Sequence, residues 1–426
     1  MIVLLLIFAA AITIGVPIAI GMGLAGASWI LFFEGLEGSI LIRRMYGILS
    51  SFPLLAIPLF SMIGLLAERS GMLPEMVKWL QMILGRVRGG VAYINVAASV
   101  IMGGVSGTAV SDVAALGRME IRMMTQAGYS RPYAAALTAA TAVIAPIIPP
   151  SVAMVIFGLA AGGISIGGLF VAGVIPGLLM GAGLAFMVWS TARAAGEEVL
   201  ASRPAPRDVI LQTLRILPFL LLPVIVVGGI VTGVFTITES AAIGTVYTMV
   251  VGLVVTRTLR LRDVYDAMVY SAIISSVVGL LMGTGAIVSW ILTRNRVTLY
   301  LAEMIGNFTD QATVFLALVA VVLLVLGTVM EATALIIAAA PILVPIARQY
   351  GIDDFQFGLV FVLSCMVGMI TPPVGILLYM TATIAEIPLE QVFRATLRYA
   401  LSAMALIGLL ILVPQLTTWL PDQFGF

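Results

Sequence analysis

Histidine is absent from this chain of 426 residues and cysteine occurs once, at Cys365. The usual metal ligand, the usual general base and any disulfide framework are therefore missing, and chemistry has to come from oxygen atoms. Two places concentrate them inside long apolar runs. GGVSGTAVSD (103–112) offers the hydroxyls of Ser106, Thr108 and Ser111 beside Asp112, and GTVMEATAL (327–335) offers Thr328 and Glu331, the only acid between Val314 and Ala347. A turn at such a point frees backbone carbonyls and amides, and its hydroxyls suit a hard monovalent cation or a carboxylate. An ionised Glu331 there costs several kcal/mol unless it is paired or solvated. It reads as a cation ligand, a proton acceptor or a hydrogen-bond acceptor that locks the tip. Asp112 has two readings, a site residue or the N-cap of a returning helix. The first tip also has a purely structural reading, since small residues let helices approach closely.

Opposite these tips, in sequence order, stand two proline pairs, in APIIPPS (145–151) and GMITPPVG (368–375). Pro146, Pro149 and Pro150 remove three backbone donors, so carbonyls around Ala142 to Ala145 are expected to lose their intrahelical partners and become candidate cation ligands. A proline kink can be structural alone, but this one recurs. Pro149 and Pro372 differ by 223 positions, and the same offset links Gly104 to Gly327, Ala109 to Ala332, Gly128 to Gly351 and Phe170 to Phe393. Repeated helix breakers in two apolar halves point to a transporter whose site is built from interrupted helices at a repeat interface.

The elements that must position these residues follow from composition. With 62% hydrophobic and 10% charged residues and a mean hydropathy of +1.18, the chain cannot cover a soluble globule with polar surface. It reads as an all-α polytopic membrane protein whose surroundings are a lipid bilayer. A formal net charge of +1 without any run of Lys or Arg gives no sign of a nucleic-acid partner. A spanning helix takes about 20 apolar residues. Ten stretches are read as crossings: 2–15, 17–33, 50–68, 131–161, 165–192, 216–235, 239–256, 267–292, 355–384 and 399–419. Two more, 89–125 and 311–347, carry the oxygen-rich tips at their centres and read as re-entrant hairpins. Segment 72–85 reads as an interfacial helix and 193–215 as a polar, proline-bearing linker. The apolar start lacks the basic residue and cleavage site of a signal peptide and reads as a retained first helix. Glu239, in FTITESAA, sits near an external helix start and reads as a cap or a scaffold contact.

Charge placement gives sidedness. Lys78, Arg86 and Arg88 precede the first hairpin and Arg118, Arg122 and Arg131 follow it, so both its ends are expected in the cytoplasm. Crossing 131–161 leads out to the uncharged GGISIGG. Arg257, Arg260 and Arg262 are again inside, and the second hairpin, flanked by Glu303, Asp310, Asp353 and Asp354, opens from outside. Arg43, Arg44, Arg294, Arg296 and Arg348 run against the rule. The two repeats come out inverted, the arrangement of alternating access.

The runs LFSMIGLLAERSG, GRVRGGVAYINVAASVIMGGVSGTAVSDVAALG, GYSRPYAAALTAATAVIAPIIPPSVAMVIFG and ATALIIAAAPILVPIARQYGIDDFQFGLVFVLSCMVGMITPPVGILLYM resemble the large membrane subunit of TRAP (tripartite ATP-independent periplasmic) transporters. The resemblance covers essentially the whole chain. It implies the ion-transporter superfamily fold with two inverted repeats, about ten transmembrane helices plus two re-entrant hairpins, and an elevator mechanism. The first repeat would span 1–192, with scaffold helices in 1–68 and a transport-domain part in 69–192; the second would span 216–426, with scaffold helices in 216–292 and a transport-domain part in 293–426. It further implies sodium coupling, with two or more ions, in the bacterial inner membrane. The partners would be a small four-helix membrane subunit on a separate chain and a periplasmic solute-binding protein delivering an organic acid.

Carried over from the family, one sodium site would involve Ser106, Thr108, Ala145 and Pro146, and a second Gly327, Glu331, Gly368 and Thr371. The substrate carboxylate would lie between the tips, with Ser106, Gly107, Thr108, Pro149, Ser151, Thr328, Glu331 and Pro372 as its candidate contacts. Many relatives carry an acid followed by proline in the second tip, whereas Ala332 follows Glu331 here. The rival readings are a stand-alone sodium- or proton-coupled carboxylate carrier of the same superfamily, and a non-transporting scaffold or channel subunit. An enzyme is disfavoured for want of a convincing nucleophile and base.

Overall fold

The structure is a computed structural model and describes residues 2–35, 37–192 and 204–426. Long runs of Leu, Ile, Val, Ala and Met can satisfy their own backbone only as helices when water is excluded, and every regular element among the described residues is helical. In the first half these are α1 (Ile2–Thr13), α2 (Ile18–Ser28), α3 (Ser39–Leu49), α4 (Ala56–Arg69), α5 (Met72–Leu84), α6 (Gly90–Ser106), α7 (Ala109–Gln126), α8 (Arg131–Ala142), α9 (Val152–Ala160) and α10 (Ile166–Ala192). The second half holds α11 (Pro206–Val231), α12 (Ile237–Val250), α13 (Leu261–Arg294), α14 (Val297–Gly306), α15 (Ala312–Gly327), α16 (Ala332–Gln349), α17 (Asp354–Gly368), α18 (Ile376–Ala385), α19 (Leu389–Leu412) and α20 (Gln415–Gln423).

The sequence offset reappears as helix boundaries. Residues 109–126 and 332–349 are both whole helices, and Arg131 and Asp354, like Ile166 and Leu389, both begin one; each pair is separated by 223 positions. Local capping accounts for this. Ser130 accepts the Tyr133 amide at 3.4 Å, and its counterpart Asp353 accepts those of Phe355 and Gln356 at 2.8 and 3.1 Å. Gly128 and Gly351, with φ of 91° and 69°, supply the left-handed turns that end α7 and α16. Thr236 and Glu239 open α12 with a capping box, the first of the two readings of Glu239.

Packing interleaves the halves. α13 lies against α2, α3 and α4, and α12 against α4. In the other body of helices, α16 packs on α9, and α18 packs on both α7 and α8. The ring of Phe157 in α9 stands 6.4 and 5.2 Å from those of Phe357 and Phe361 in α17. All three rings are fully buried, so the helix after the first proline pair is fixed by the helix before the second.

The helix pairs α6–α7 and α15–α16 and the interruptions between α8 and α9 and between α17 and α18 fall at the expected positions, but the ten-crossing count is not reproduced. Among the described residues, seven helices are long and apolar enough to cross a membrane. One is α16, a hairpin arm that reaches span length on its own. α13 runs from Leu261 and α19 from Leu389, six and ten residues ahead of the expected 267 and 399; their first turns are charged and amphipathic, so hydropathy alone starts them late. α19 stops at Leu412, because Pro414 ends it and opens α20. α3 and α14, two short helices beside the longer ones, were not anticipated. Residues 193–203 of the expected linker lie outside the described residues, and from Pro206 the chain is already α11.

Candidate functional site

The first site is assembled by the α6–α7 hairpin and the break between α8 and α9. α6 ends at Ser106, Gly107 turns the chain with φ of 62°, and Thr108 caps α7. The Gly107 carbonyl accepts the Val152 amide at 3.2 Å, so the tip is clasped to the first turn after Pro149 and Pro150. The approach is close enough that a Cβ on Gly107 would stand 2.5 Å from the Pro150 carbonyl oxygen. One step back, a Cβ on Gly103 would stand 3.1 Å from Cα of Ala145. Small residues at this tip therefore do let backbones meet, as the structural reading required, and what they meet is the interrupted helix.

The oxygens here are unequally engaged. Thr108 Oγ1 accepts the Ser111 amide at 3.2 Å and donates to Ser111 Oγ at 2.7 Å. Ser151 caps α9 through the Met154 amide at 3.2 Å and donates to the Pro146 carbonyl at 2.5 Å. The Ala142 carbonyl has no helical partner, since residue 146 is proline, and is taken instead by the Ala145 amide at 3.2 Å, because the chain tightens into a turn before the prolines. Among the described residues, the Ala145 carbonyl accepts no hydrogen bond. Ser106 Oγ is buried and has no hydrogen-bond partner. An unpaired buried hydroxyl is costly, and a cation supplied with such oxygens would relieve that cost.

The second site repeats the plan with other atoms. α15 ends at Gly327, and the Thr328 carbonyl accepts the Gly375 amide at 2.9 Å, clasping this tip to the turn after Pro372 and Pro373. Gly327 and Gly368 meet backbone to backbone: a Cβ on Gly368 would be 2.6 Å from both the Leu324 carbonyl oxygen and C of Gly327. Glu331 caps α16, with Oε2 accepting the Ala334 amide at 3.2 Å and Oε1 the Thr333 hydroxyl at 2.9 Å. Thr371 Oγ1 donates to the Val367 carbonyl at 2.7 Å, and the Gly368 carbonyl accepts the Thr371 amide at 2.9 Å. Each of these oxygens keeps a further lone pair. Both proline pairs, 149–150 and 372–373, contain a cis peptide bond.

Asp112 is not the N-cap of α7; Thr108 is. Asp112 lies one turn further in, buried, where its Oδ2 accepts from Ser99 Oγ at 2.9 Å and its Oδ1 is unpaired. Beyond it along α7 is a cluster that the sequence reading missed. Asn95 Nδ2 donates to Glu120 Oε2 at 3.0 Å and to Thr138 Oγ1 at 2.7 Å, while Thr141 Oγ1 donates to Asn95 Oδ1 at 2.9 Å. All four are buried. Helical arithmetic held the signal: Asn95 and Ser99 are four apart, Asp112 and Glu120 eight apart and Thr138 and Thr141 three apart, so each pair shares a face. The exposed Arg118 and Arg122 on either side of Glu120 made it look like part of a solvated flank.

With this geometry in view, the comparisons with known proteins are coherent. Residues 5–416 match the family model for the DctM component of the tripartite ATP-independent periplasmic transporter. The sialic acid TRAP transporter large permease protein SiaM of Vibrio cholerae is 32% identical over 410 residues, covering 96% of each chain. The 2,3-diketo-L-gulonate TRAP transporter large permease protein YiaN of Escherichia coli is 31% identical over 405 residues, covering 95% of each. Among solved structures, the YdaH transporter of Alcanivorax borkumensis superposes with a TM-score of 0.66 over 93% of this chain and 90% of its own, at 18% identity, a likeness of fold. A multi-pass helical chain with clasped hairpins, matched over nearly its whole length, belongs to the DctM family of TRAP transporter large permeases.

Proposed function

We propose that this permease couples inward sodium movement to uptake of an organic acid across the bacterial inner membrane. The single observation that carries the reading is the twofold clasp: a carbonyl of each hairpin tip accepts an amide from the turn that follows a proline pair, Gly107 from Val152 and Thr328 from Gly375. At the first clasp the buried Ser106 hydroxyl has no hydrogen-bond partner among the described residues. Two such turns, 223 positions apart in their proline pairs, support inverted repeats that present one cation site each, with the substrate carboxylate held between the tips. Ser106, Thr108, Ala145 and Pro146 would serve the first ion, and Gly327, Glu331, Gly368 and Thr371 the second. Sodium is here a transported ion rather than a resident metal.

In this reading the hairpins and interrupted helices slide as one body against a scaffold that includes α2, α4, α12 and α13. A small four-helix subunit supports the scaffold and a periplasmic binding protein delivers the substrate. Each net positive charge moved inward gains about 2.3 kcal/mol per 100 mV. Import of more sodium charge than substrate charge therefore uses the membrane potential as well as the ion gradient. The experiment is uptake into proteoliposomes that contain all three components, with and without an inward sodium gradient. Uptake should collapse without the gradient; equal uptake in both conditions would refute coupling.

A further inference from the structure

Arg43 and Arg44 broke the sidedness rule, and the structure shows where they stand. They line a cavity of about 460 Å³, bounded on one side by α3 and α13 and on the other by the end of α9 and the middle of α16. Its wall includes Ser289, Trp290 and Thr293 of α13. No carboxylate lines it, and neither Arg43 nor Arg44 has an acidic partner among the described residues. The nearby Arg294 is already neutralised, since its Nε donates to Glu34 at 2.7 Å. Trp290 is flanked by two cations, with the guanidinium carbons of Arg44 and Arg294 at 5.2 and 5.4 Å from its ring centre.

The helix that carries the two arginines divides its faces. Ile42, Tyr46 and Leu49, at i, i+4 and i+7, are exposed on one side, and Arg43, Arg44 and Gly47, exposed as well, line the open cavity with the half-buried Ile48 on the other. Two uncompensated guanidiniums beside hydroxyls, in a cavity within the size range of small-ligand sites, favour an oxyanion held by charge-assisted hydrogen bonds. The cavity is also placed to feed the tips. α9 begins at Val152 in the first clasp and ends at the cavity, and α16 leaves its Glu331 cap at the tip and passes the cavity at Ile337 and Pro341. At 1.5 Å per residue these two positions lie about 9 and 15 Å along α16 from the tip.

We infer that this cavity is an anion site that takes a small carboxylate at the seam between scaffold and moving body, on its way to the hairpin tips. The assignment rests on the transport reading for the identity of the anion. Glycine 162, in the loop whose lack of charge placed it outside, also lines the cavity, so the site faces the side from which substrate would arrive.

The test reads binding rather than uptake. The full-length chain, in sodium-free nanodiscs of phosphatidylethanolamine, is titrated with potassium succinate while iodide quenches tryptophan emission; Trp290→Phe identifies the part of the signal that comes from the cavity. Succinate should protect Trp290 from iodide. In the double variant Arg43→Gln/Arg44→Gln the required concentration should rise about tenfold or more, as expected for the loss of charge-assisted contacts. Arg43→Lys/Arg44→Lys should fall between the two. Absence of protection in the wild-type chain would overturn the inference whether or not any variant folds, and so would protection that survives the double Gln substitution. If phosphatidylglycerol in the nanodisc abolishes protection, the occupant is a lipid headgroup and the carboxylate assignment falls. Sodium-independent uptake in proteoliposomes would defeat the transport reading yet leave this binding result standing.

Discussion

Thr108 and Glu331 hold the same post 223 positions apart: each caps the helix that leaves its hairpin tip, and each accepts the amide three residues on, from Ser111 and Ala334, at 3.2 Å. A hydroxyl does this work in one tip and a carboxylate in the other. Two properties of Glu331, its cap and its charge, can therefore be separated. Glu331→Ala removes both and should cost about 1 kcal/mol from the cap alone. Glu331→Thr should restore the cap in the manner of Thr108 while leaving the tip uncharged. If the carboxylate also serves sodium, both variants will need more sodium for half-maximal uptake, whereas only Glu331→Ala will show a lowered unfolding midpoint. Equal sodium dependence in wild type and Glu331→Thr would assign the acid to capping.

Ser106 poses the complementary case, a buried hydroxyl that makes no hydrogen bond among the described residues. Removing an unsatisfied polar group is close to neutral or favourable for stability. Ser106→Ala should therefore keep or slightly raise the unfolding midpoint and, if the hydroxyl is a sodium ligand, raise the half-saturating sodium concentration about tenfold, equivalent to about 1.4 kcal/mol. The paired measurement is a sodium titration of uptake and a thermal unfolding curve on one preparation. A lowered midpoint with unchanged sodium dependence would show that the hydroxyl has a structural role instead.

The tips and proline pairs were legible in the sequence because each puts residues that break helices into a run that otherwise demands one. Gly104, Pro149 and their counterparts stand out against apolar surroundings, and an exact offset makes coincidence untenable. α3 was not legible because Arg43 and Arg44 interrupt its apolar residues, and α14, though apolar, is ten residues long and so falls short of a span. The Asn95–Glu120 cluster was missed for another reason. Its members come from α6, α7 and α8, and only the folded hairpin brings them together; in the sequence Glu120 is one acid in a stretch that also holds Arg118 and Arg122. The clasp partners were likewise beyond reach, because Val152 and Gly375 contribute a backbone amide, which residue type does not reveal.

Gly107 combines two constraints that are separable in principle. Its φ of 62° favours glycine, and the Pro150 carbonyl oxygen would meet a Cβ at 2.5 Å. The left-handed backbone alone costs a non-glycine residue about 1–2 kcal/mol. Contact with backbone that cannot swing aside adds to it, so Gly107→Ala should push the tip off the turn after the prolines. Uptake should fall by more than tenfold, with a loss of about 1–3 kcal/mol in stability. Gly128→Ala is the control, since φ there is 91° but nothing lies within 4 Å of an added Cβ. It should be strained without blocking the clasp, and therefore less stable but still active. If both variants lose uptake alike, backbone strain rather than the clasp is what matters at Gly107.

Asn95 and Glu120 form the interior contact on which hairpin α6–α7 and helix α8 converge, and their coupling can be measured directly. Glu120 is fully buried, with one oxygen held by Asn95 Nδ2 at 3.0 Å and the other, Oε1, unpaired. Replacing Asn95 by Leu would leave the acid without that donor and should cost about 1–3 kcal/mol, the penalty for stranding a buried polar group. Replacing Glu120 by Met takes one acceptor from Asn95 Nδ2, which keeps Thr138 Oγ1 at 2.7 Å, and should cost less. The double variant Asn95→Leu/Glu120→Met removes both partners and fills their volume with apolar atoms, so it should be more stable than the sum of the single losses predicts. A double-mutant cycle by thermal unfolding reads the difference, expected at about 1 kcal/mol or more for groups in one buried network. Strict additivity would mean that the contact carries no coupling. Glu120→Gln tests shape separately from charge: it preserves the outline and an acceptor for Asn95, and should stay within about 1 kcal/mol of wild type if hydrogen bonding, rather than a carboxylate, is what the interior needs.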